Sequence, residues 1–559
     1  MNILGISCFY HDSAACLLKD GMVIAAAQEE RFNRRKNCSD FPINAINFCL
    51  QAGGLTAYDI DYIGFYEKPY LKFSRVISSH LRSYPFSFAN FYDTLPSWLE
   101  DRLIMPLVLK RELCFEGKVI FIKHHLSHAA SAFLVSPFEE AAVLTADGVG
   151  EWTTLTCGVG RGSTIKIHNE IDFPDSLGLV YTAVTTYLGF EANEGEGKVM
   201  GLAGYGKPVY VDKLKEIIRI KEDGSFKINH SFFGFNKGRR MFSKKFINAF
   251  GKEREPESKI EERHCDIAAS LQQFCEEAII LIARNLHKQT KMDNLCLAGG
   301  LFLNCVINHK LLEETPFRKV FVQPAAGDSG GALGVAVYLN NCLLKNKRDY
   351  VMNDAYLGPE FSPESIKRLL INRGVDFKEM NAPDLARYIA AKISQNKIIG
   401  WFQGRMEFGP RALGSRSILA NPCNPDIKEI LNSKVKNRES FRPYAPAVLE
   451  EKAEEFFKIK DVSPFMLLAP RVREEKKNLI PGVTHVDGTA RVQTVNKKTN
   501  PKFWELINEF YNITGIPLIV NTSFNLRGEP IVCSPQEALD CFQKTRMDCL
   551  VLENYLLEK

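Results

Sequence analysis

A three-strand pattern that occurs twice is the feature of this sequence that most restricts its fold. Between the second and third strand of the first copy, Lys19-Asp20-Gly21 is typical of a hairpin turn. The copies share pattern but not residue identity, so they predict two equivalent α/β halves. The predicted strands lie at residues 2–8, 13–18 and 22–27, and again at 141–146, 153–158 and 164–167.

Two such units, each followed by helices, resemble the duplicated fold of actin, the sugar kinases and the 70-kDa chaperones, in which ATP binds between the halves. An apolar helical pattern from about residue 257 to 289 and a strand at 294–298 continue the second half. The stretch 345–363 is charged and then proline-rich, which is typical of a connection between domains. We therefore predict an actin-like (ribonuclease H-like) domain at 1–350 and a second α/β domain at 351–559.

Composition sets the broad class of the protein. A chain of 559 residues is too long for one core, and a net charge of +5 over this length is weak. Fifteen cysteines without a Cys-x-x-Cys pair indicate a reducing compartment. No signal peptide and no run of about 18 apolar residues is evident, so we expect a soluble cytoplasmic protein without a membrane partner. The basic stretch 207–260, which includes Lys237-Gly238-Arg239, is expected to be a solvated insertion.

Four residues form a candidate metal-ligand set. His124 and His128 are four residues apart in a helical pattern, which places both imidazoles on one face. Asp147 ends a buried strand, and Asp328 precedes a glycine pair after a second strand. Nitrogen and oxygen ligands without thiolate suit iron, zinc or manganese. The alternative is that the histidine pair is ordinary helix polarity.

The second domain has cationic residues in glycine- and proline-marked loops. Guanidinium groups, lysines and hydroxyls in such loops predict a phosphate receptor, whereas surface ion pairs are the alternative. Arg405, Arg411 and Arg416 lie in one loop, and their side-chain directions are open at this stage. The other loops contain Lys434, Arg438 and Arg442, and then residues 521–530 after the strand at 517–520.

Seven motifs in one order resemble the O-carbamoyltransferases of antibiotic tailoring and nodulation-factor synthesis. The resemblance covers nearly the whole chain except residues 66–118 and 207–260. An acceptor pocket could vary in these two segments. The motifs are GISCFYHDSAA (5–15), QEERF (28–32), HHLSHAASA (124–132), GKVMGLA (197–203), GGLFLN (299–304), RMEFGPRALG (405–414) and NTSFN (521–525).

The resemblance implies an enzyme with two sites. The C-terminal domain, similar to the threonylcarbamoyl-adenylate synthases, would convert carbamoyl phosphate and ATP, with magnesium, into carbamoyl adenylate. The N-terminal domain, similar to the tRNA threonylcarbamoyltransferases, would transfer the carbamoyl group to a hydroxyl of a small-molecule natural product. Iron is the first expectation for its metal, with zinc or manganese as alternatives.

Carried over by position, the resemblance assigns each site residue. His11 would be the general base, since a histidine pKa of about 6.5 suits a base at neutral pH. Asp12 would lie beside it at the acceptor. The metal ligands would be His124, His128, Asp147 and Asp328; the carbamoyl adenylate or ATP would contact Lys36, Gly197, Lys198, Gly299, Gly300 and Asn304; and carbamoyl phosphate and ATP would contact Arg411, Lys434, Arg438, Arg442, Arg491, Ser523 and Asn525.

Two rival functions remain open from the sequence. A tRNA-modifying enzyme would share both domain types but needs a larger basic face than the weak net charge indicates, so nucleic acid is not an expected partner. An ATP-dependent binding module of the actin-like fold would leave the metal set and the cationic second domain unexplained. A homo-oligomer is compatible with the sequence, and the identity of the acceptor is not encoded in any motif.

Overall fold

The computed structural model describes residues 1–85, 87–235 and 240–559 and forms two compact units. The first unit comprises residues 1–29 and 37–352, and the second comprises residues 30–36 and 353–559. The segment 30–36, which contains helix α1 (Glu30–Asn33), therefore belongs to the second unit. The predicted boundary at residue 350 leaves residues 30–36 in the first domain. The sequence does not show that they belong to the second unit, because that depends on contacts with residues far along the chain.

The first unit contains two five-stranded sheets with the same strand order. The first sheet has the order β3-β2-β1-β4-β5, and the second has β8-β7-β6-β11-β12. In both, the first strand pairs antiparallel with the second and parallel with the fourth. This repetition confirms the predicted duplicated fold. The strands are β1 (Asn2–Ser7), β2 (Ala14–Lys19), β3 (Met22–Gln28), β4 (Tyr62–Phe65), β5 (Lys118–Phe121), β6 (Glu140–Ala146), β7 (Thr153–Arg161), β8 (Thr164–Asp172), β9 (Ile218–Ile220), β10 (Phe226–Ile228), β11 (Asn294–Ala298) and β12 (Lys319–Val322).

The turn between β2 and β3 has the predicted hairpin chemistry. Asp20 and Gly21 both adopt left-handed backbone angles, with φ of 50° and 82°. A two-residue turn with positive φ at both positions matches the right-handed twist of the strands that it joins. The local sequence therefore fixes this hairpin.

The helices of the first unit lie between and after these strands. The fifth strand of each sheet leads into one of two corresponding helices, α6 after β5 and α13 after β12. The helices are α2 (Ile43–Gly53), α3 (Pro69–Arg82), α4 (Phe88–Ser97), α5 (Met105–Leu113), α6 (His124–Phe133), α7 (Leu177–Tyr187), α8 (Glu196–Ala203), α9 (Val211–Ile217), α10 (Lys244–Phe250), α11 (Glu262–Thr290), α12 (Cys305–Glu314) and α13 (Ser329–Tyr338).

Helices α6 and α13 pack against each other at the centre of the first unit. Both are almost entirely buried, which is typical of helices within a core. At Gly334 on α13 a β-carbon would lie 1.9 Å from the carbonyl oxygen of Ser127 on α6. Only glycine fits this contact without movement of a helix, so the sequence at Gly334 sets the separation of the two backbones.

The described parts of the stretch 207–260, residues 207–235 and 240–260, contain helices and strands with buried aromatic residues rather than a solvated insertion, so for these parts the expectation was wrong. Phe246 and Phe250 on α10 are buried, with ring centroids 4.4 Å apart, and the ring of Phe246 lies 5.1 Å from that of Tyr187. Aromatic residues four apart on a helix form an apolar face that the high content of Lys and Arg obscures in the sequence. The expectation for Lys237, Gly238 and Arg239 concerns residues outside those described.

The second unit is built on one eight-stranded sheet, flanked by helices, with the order β13-β20-β19-β14-β15-β18-β16-β17. Within the described parts of the chain, we find no helix with both the length and the apolar character needed to cross a bilayer. The elements are β13 (Lys378–Glu379), β14 (Ile399–Phe402), β15 (Arg416–Ala420), β16 (Ala445–Leu449), β17 (Gln493–Val495), β18 (Leu518–Ser523), β19 (Cys549–Leu552), β20 (Tyr555–Glu558), α14 (Pro363–Asn372), α15 (Ala382–Ser394), α16 (Ile427–Leu431), α17 (Ala453–Phe456), α18 (Pro501–Thr514) and α19 (Pro535–Lys544).

The contact between α6 and α13 predicts a difference between two helical glycines. Gly334→Ala should destabilise the first unit by about 1–3 kcal/mol, because the added methyl forces the two helices apart. Gly197→Ala on α8 is the matched control, since a β-carbon there meets no atom within 4 Å. The control should retain or slightly raise the Tm, because alanine favours helix more than glycine does. Circular dichroism melting curves measure both, and an unchanged Tm for Gly334→Ala would contradict the packing.

Candidate active site

Four predicted ligands meet in the first unit. His124 and His128 lie one turn apart on α6, Asp147 directly follows β6, and Asp328 directly precedes α13. All four side chains are buried, and one ligand atom from each lies within 4.8 Å of the others. The duplicated topology and the packing of α6 on α13 thus bring together residues that are up to 204 positions apart (328 − 124).

Three separations between these atoms match those of ligands around one metal ion. The Nε2 atoms of His124 and His128 are 3.0 Å apart, and His124 Nε2 lies 3.2 Å from Asp147 Oδ2 and 3.6 Å from Asp328 Oδ1. Ligand atoms about 2.1 Å from a metal, at angles of about 90° to 120°, are separated by about 3.0 to 3.6 Å. The set of two nitrogens and two oxygens suits iron, zinc or manganese.

The electrostatics of the cluster also favour a cation. Burial opposes ionisation of Asp147, but hydrogen bonds with His124 and His128 hold the pKa of Asp147 well below its usual value. Burial likewise opposes ionisation of Asp328, yet the charges of His11 and His124 lower its pKa to about 2. The Oδ1 atom of Asp328 is buried without a hydrogen-bond partner. Two buried carboxylates, one with an unpaired oxygen, are a combination that a bound cation satisfies.

Residues around the cluster hold the ligands in position. The backbone N–H of Gly300 donates to Asp147 Oδ1 at 2.9 Å, and the Tyr66 hydroxyl donates to Asp328 Oδ2 at 3.4 Å. Glu151 accepts a hydrogen bond from the backbone N–H of His124 at 3.0 Å. Sequence reasoning missed Tyr66 and Glu151, although the position of Glu151 directly after the Asp-Gly-Val-Gly turn is a usable signal. Such partners orient ligands and fix their charge.

His11 lies beside the cluster in the loop that follows β1. Its Nδ1 is 3.0 Å from Asp12 Oδ2, and its Nε2 is 3.8 Å from Asp328 Oδ2. Burial disfavours protonation of His11, but Asp328 and Asp12 outweigh burial and raise its pKa to about 10. This loop corresponds by topology to the Asp147 loop after β6. A histidine with a carboxylate on each ring nitrogen can accept and hold a proton at this position.

The predicted adenylate residues occupy different environments. Gly299 has a φ of 101°, and a β-carbon there would lie 2.2 Å from the carbonyl oxygen of Ala146, so glycine is required for this turn to approach the Asp147 loop. Gly197 on α8 faces open space, and Lys198 Nζ lies 5.6 Å from the centre of the Phe190 ring. Lys36 is exposed and belongs to the segment 30–36 of the second unit, although the sequence placed it with first-domain residues.

Asn304 has a role in the fold. Its Oδ1 accepts hydrogen bonds from the backbone N–H groups of Val306 and Ile307, which caps α12. Its side-chain amide also exchanges two hydrogen bonds with Gln272. The Oδ1 atom of Asn304 therefore serves as the helix cap, a frequent role for Asn before a helix, and its contact with the adenylate stays a prediction.

In the second unit the structure places Lys436, rather than Lys434, beside Ser523 and Asn525. Lys436 is buried, and its Nζ donates to the carbonyl oxygen of Ser523 and, at 2.8 Å, to Asn525 Oδ1. Lys434 is exposed. Residues two apart on a helical turn face different directions, and sequence reasoning chose the outer lysine. Burial and the charges of Arg438 and Arg442 lower the pKa of Lys436 well below its usual value.

Three arginines lie close enough to one another to interact. Burial and the like charges of Arg438 and Arg491 lower the pKa of Arg442 to about 10. Arg438 is held by a 2.9 Å hydrogen bond from its Nε to Asn432 and lies over the Tyr444 ring. Clustered guanidinium groups repel one another, so an anion such as phosphate stabilises the arrangement.

The arginines of the 405–416 loop divide into two groups. Arg416 is fully buried, donates to the carbonyl oxygens of Gln403 and Pro359, and stacks 3.5 Å from the centre of the Phe402 ring. Arg405 donates to the carbonyl oxygen of Leu357 at 2.7 Å. These contacts hold backbone rather than a ligand. Arg411, which is partly exposed, therefore stays the predicted phosphate contact of this loop.

Comparisons with known proteins agree with both halves of the chain. The family described as carbamoyltransferase N-terminus matches residues 2–337, and the family described as carbamoyltransferase C-terminus matches residues 390–559. An uncharacterised protein of Synechocystis sp. is 45% identical and aligns over 100% of this chain and 97% of its own length. Nodulation protein NolNO of Sinorhizobium fredii is 39% identical over 99% of this chain and 79% of its own length.

A more distant relative also aligns along most of both sequences. Nodulation protein U of Rhizobium tropici is 30% identical over 94% of this chain and 91% of its own length. The family matches extend across both units, including the metal-ligand cluster and the residues around Lys436. This chain belongs to the carbamoyltransferase family and is an enzyme of that family.

Proposed function

We propose that the protein is an ATP-dependent O-carbamoyltransferase that takes the carbamoyl group from carbamoyl phosphate and transfers it to a hydroxyl of a small-molecule natural product. The observation that carries this proposal is the presence of two chemically different sites in one chain. The first unit has a nitrogen and oxygen ligand cluster beside His11. The second has Lys436 and a group of arginines suited to phosphates.

The second unit would activate the carbamoyl group. Water hydrolyses carbamoyl phosphate to carbamate and inorganic phosphate, and the carbamate oxygen then attacks the α-phosphorus of ATP. A new bond forms between carbamate oxygen and phosphorus, the bond to the β-phosphate breaks, and pyrophosphate leaves, with magnesium as the counterion of ATP. Lys436, with Ser523 and Asn525, and Arg411, Arg438, Arg442 and Arg491 would bind the phosphates and the carbamate.

The first unit would then transfer the carbamoyl group. The acceptor hydroxyl oxygen attacks the carbamoyl carbon, AMP leaves with the bridging oxygen, and the hydroxyl proton moves to His11. Asp12 holds the other ring nitrogen of His11 and thereby orients the base. Gly197, Lys198 and the turn at Gly299 and Gly300 would bind the adenylate.

His124, His128, Asp147 and Asp328 would hold a divalent cation at the transfer site. Bound there, the cation supplies Lewis acidity that polarises a carbamoyl or phosphate oxygen. Because Asp328 raises the pKa of His11, neutralisation of this carboxylate would also return His11 toward the unprotonated form that a base requires.

The activation chemistry is tested by the products made without any acceptor. With ATP and carbamoyl phosphate, the protein should release pyrophosphate and form carbamoyl adenylate, and omission of carbamoyl phosphate should abolish that release. Coupled pyrophosphate detection and nucleotide chromatography measure both products. Release of ADP in place of pyrophosphate would indicate attack at the γ-phosphate and contradict the proposal.

The assignment of Lys436 is tested against its exposed neighbour. Lys436→Met should lower the rate of pyrophosphate release by about 10²-fold or more, because a buried cation no longer faces the phosphates. Lys434→Met should leave the rate near that of the wild type. Both variants should transfer the carbamoyl group normally when synthetic carbamoyl adenylate is supplied. Equal activation rates in the two variants would show that Lys436 has no part in phosphate binding.

A further inference from the structure

Helix α3 has an unusual distribution of polar and apolar residues. Its buried residues include Lys72 and Arg75, whereas Tyr70 and Leu81 are 73% and 72% exposed. A helix on the surface of a domain normally buries its apolar side and exposes its charges. Apolar packing therefore does not explain why two cations are buried on one side of α3.

Lys72 has a partner within the protein. Its Nζ lies 2.5 Å from Glu67 Oε2, and both side chains are buried. The same ammonium lies 4.6 Å from the centre of the Tyr10 ring. The charge of Lys72 is thus satisfied by an ion pair and an aromatic ring.

Arg75 has no such partner. Its side chain is only 9% exposed, and its guanidinium lies 5.1 Å from the centre of the Phe173 ring. Among the residues that the structure describes, none forms an ion pair or a hydrogen bond with Arg75, and its buried Nε is unpaired. The buried Nε donor is costly without an acceptor, and a ligand that reaches the guanidinium would supply one.

The carboxylates nearest to Arg75 already have partners. Glu67 pairs with Lys72, and Glu151 accepts the backbone N–H groups of Lys68 and His124 at 2.8 and 3.0 Å. Burial lowers the pKa of Arg75, and the proximity of Tyr10, Glu67 and Glu151 opposes that change. The residues that the structure describes therefore leave the hydrogen-bonding capacity of Arg75 unused.

The position of Arg75 connects it with the transfer site. Glu151 joins the start of α3 to the start of α6, where His124 lies. The Tyr10 ring is 4.7 Å from the His11 ring on one side and faces Lys72 on the other. Tyr10 is 37% exposed, so part of this surface is open to a ligand. Arg75 is one helical turn beyond Lys72 on the same side of α3.

We propose that Arg75 is the centre of an oxyanion subsite beside His11, which binds a carboxylate, phosphate or sulfate group of a ligand of the transfer site. A guanidinium is matched to such groups because its parallel N–H donors bind two oxygens at once. The link to transfer rests on the proposed function, whereas the subsite itself rests on the unpaired side chain. The oxyanion is either the phosphate of the carbamoyl donor or an acidic group of the acceptor.

The subsite is tested with selenate, an oxyanion that can be located by anomalous scattering. Crystals of the full-length, metal-loaded protein soaked in selenate should have a selenium peak within hydrogen-bond distance of Arg75. Arg75→Gln should lose that peak, while Arg82→Gln, at an exposed arginine of the same helix, should retain it. Arg75→Gln should still melt well above the soaking temperature, so that a lost peak reports the subsite and not unfolding. Arg75→Lys serves as a second variant that keeps the charge but not the paired donors.

Calorimetric titration with AMP separates the two sources of the oxyanion. Weakening of AMP binding by about tenfold or more in Arg75→Gln identifies the donor phosphate. Unchanged AMP binding, with selenate still located at Arg75, identifies an acidic group of the acceptor. If the wild type binds selenate at Arg75 but not AMP, the adenylate part of the proposed function fails and the subsite stands. A wild-type crystal without selenate at Arg75 overturns the subsite.

Discussion

The close packing of α6 against α13 is the interaction on which the geometry of the first unit depends. Both helices follow the fifth strand of a sheet, and Gly334 allows the backbone of one to touch the other at Ser127. This contact brings the two histidines of α6 to Asp328 at the start of α13. Asp147 completes the group because the first strand of the second sheet ends at the same place. The duplication thus creates a site that neither half could form alone.

The candidate sites of the two units differ in the charge of their buried side chains. In the first, two buried carboxylates, one with an unpaired oxygen, lie against two histidines and approach His11, an arrangement that a bound cation would satisfy. In the second, burial and the like charges of Arg438 and Arg491 lower the pKa of Arg442, because the three guanidinium groups lie close together. Positive charge is therefore concentrated where phosphates would bind. The proposed activation and transfer of a carbamoyl group would use these two environments, one in each unit.

The sequence predicted the features that depend on local chemistry. Strands β1 to β3 follow from apolar runs joined by an Asp-Gly turn, and the histidine pair follows from a four-residue spacing. Asp147 was recognisable because it follows a strand and precedes a glycine, and Asp328 because it lies between a strand and a glycine pair. The equivalence of the two halves was also predictable, because each half begins with the same order of strands and turns.

Features that depend on distant contacts were not predictable from the sequence. Lys434 and Lys436 are indistinguishable until the turn that carries them is placed against Ser523 and Asn525. The use of Asn304 as a helix cap was not predictable because it depends on where α12 begins. The burial of Arg75 depends on Phe173, which is almost a hundred positions away (173 − 75 = 98). The folded aromatic cluster around Phe246 was hidden by the basic residues between its members.

The metal content of the protein shows most directly whether the four buried side chains hold a metal ion. Full-length wild-type protein should contain about one ion of iron, zinc or manganese per chain, as one four-ligand site requires. His124→Ala should lose that ion. His125→Ala should retain it, because the adjacent histidine is equally buried but hydrogen-bonds to Thr145 through its Nδ1 and lies outside the cluster. Elemental analysis measures the metal content of both variants. Equal content in the two would show that His124 is not a metal ligand.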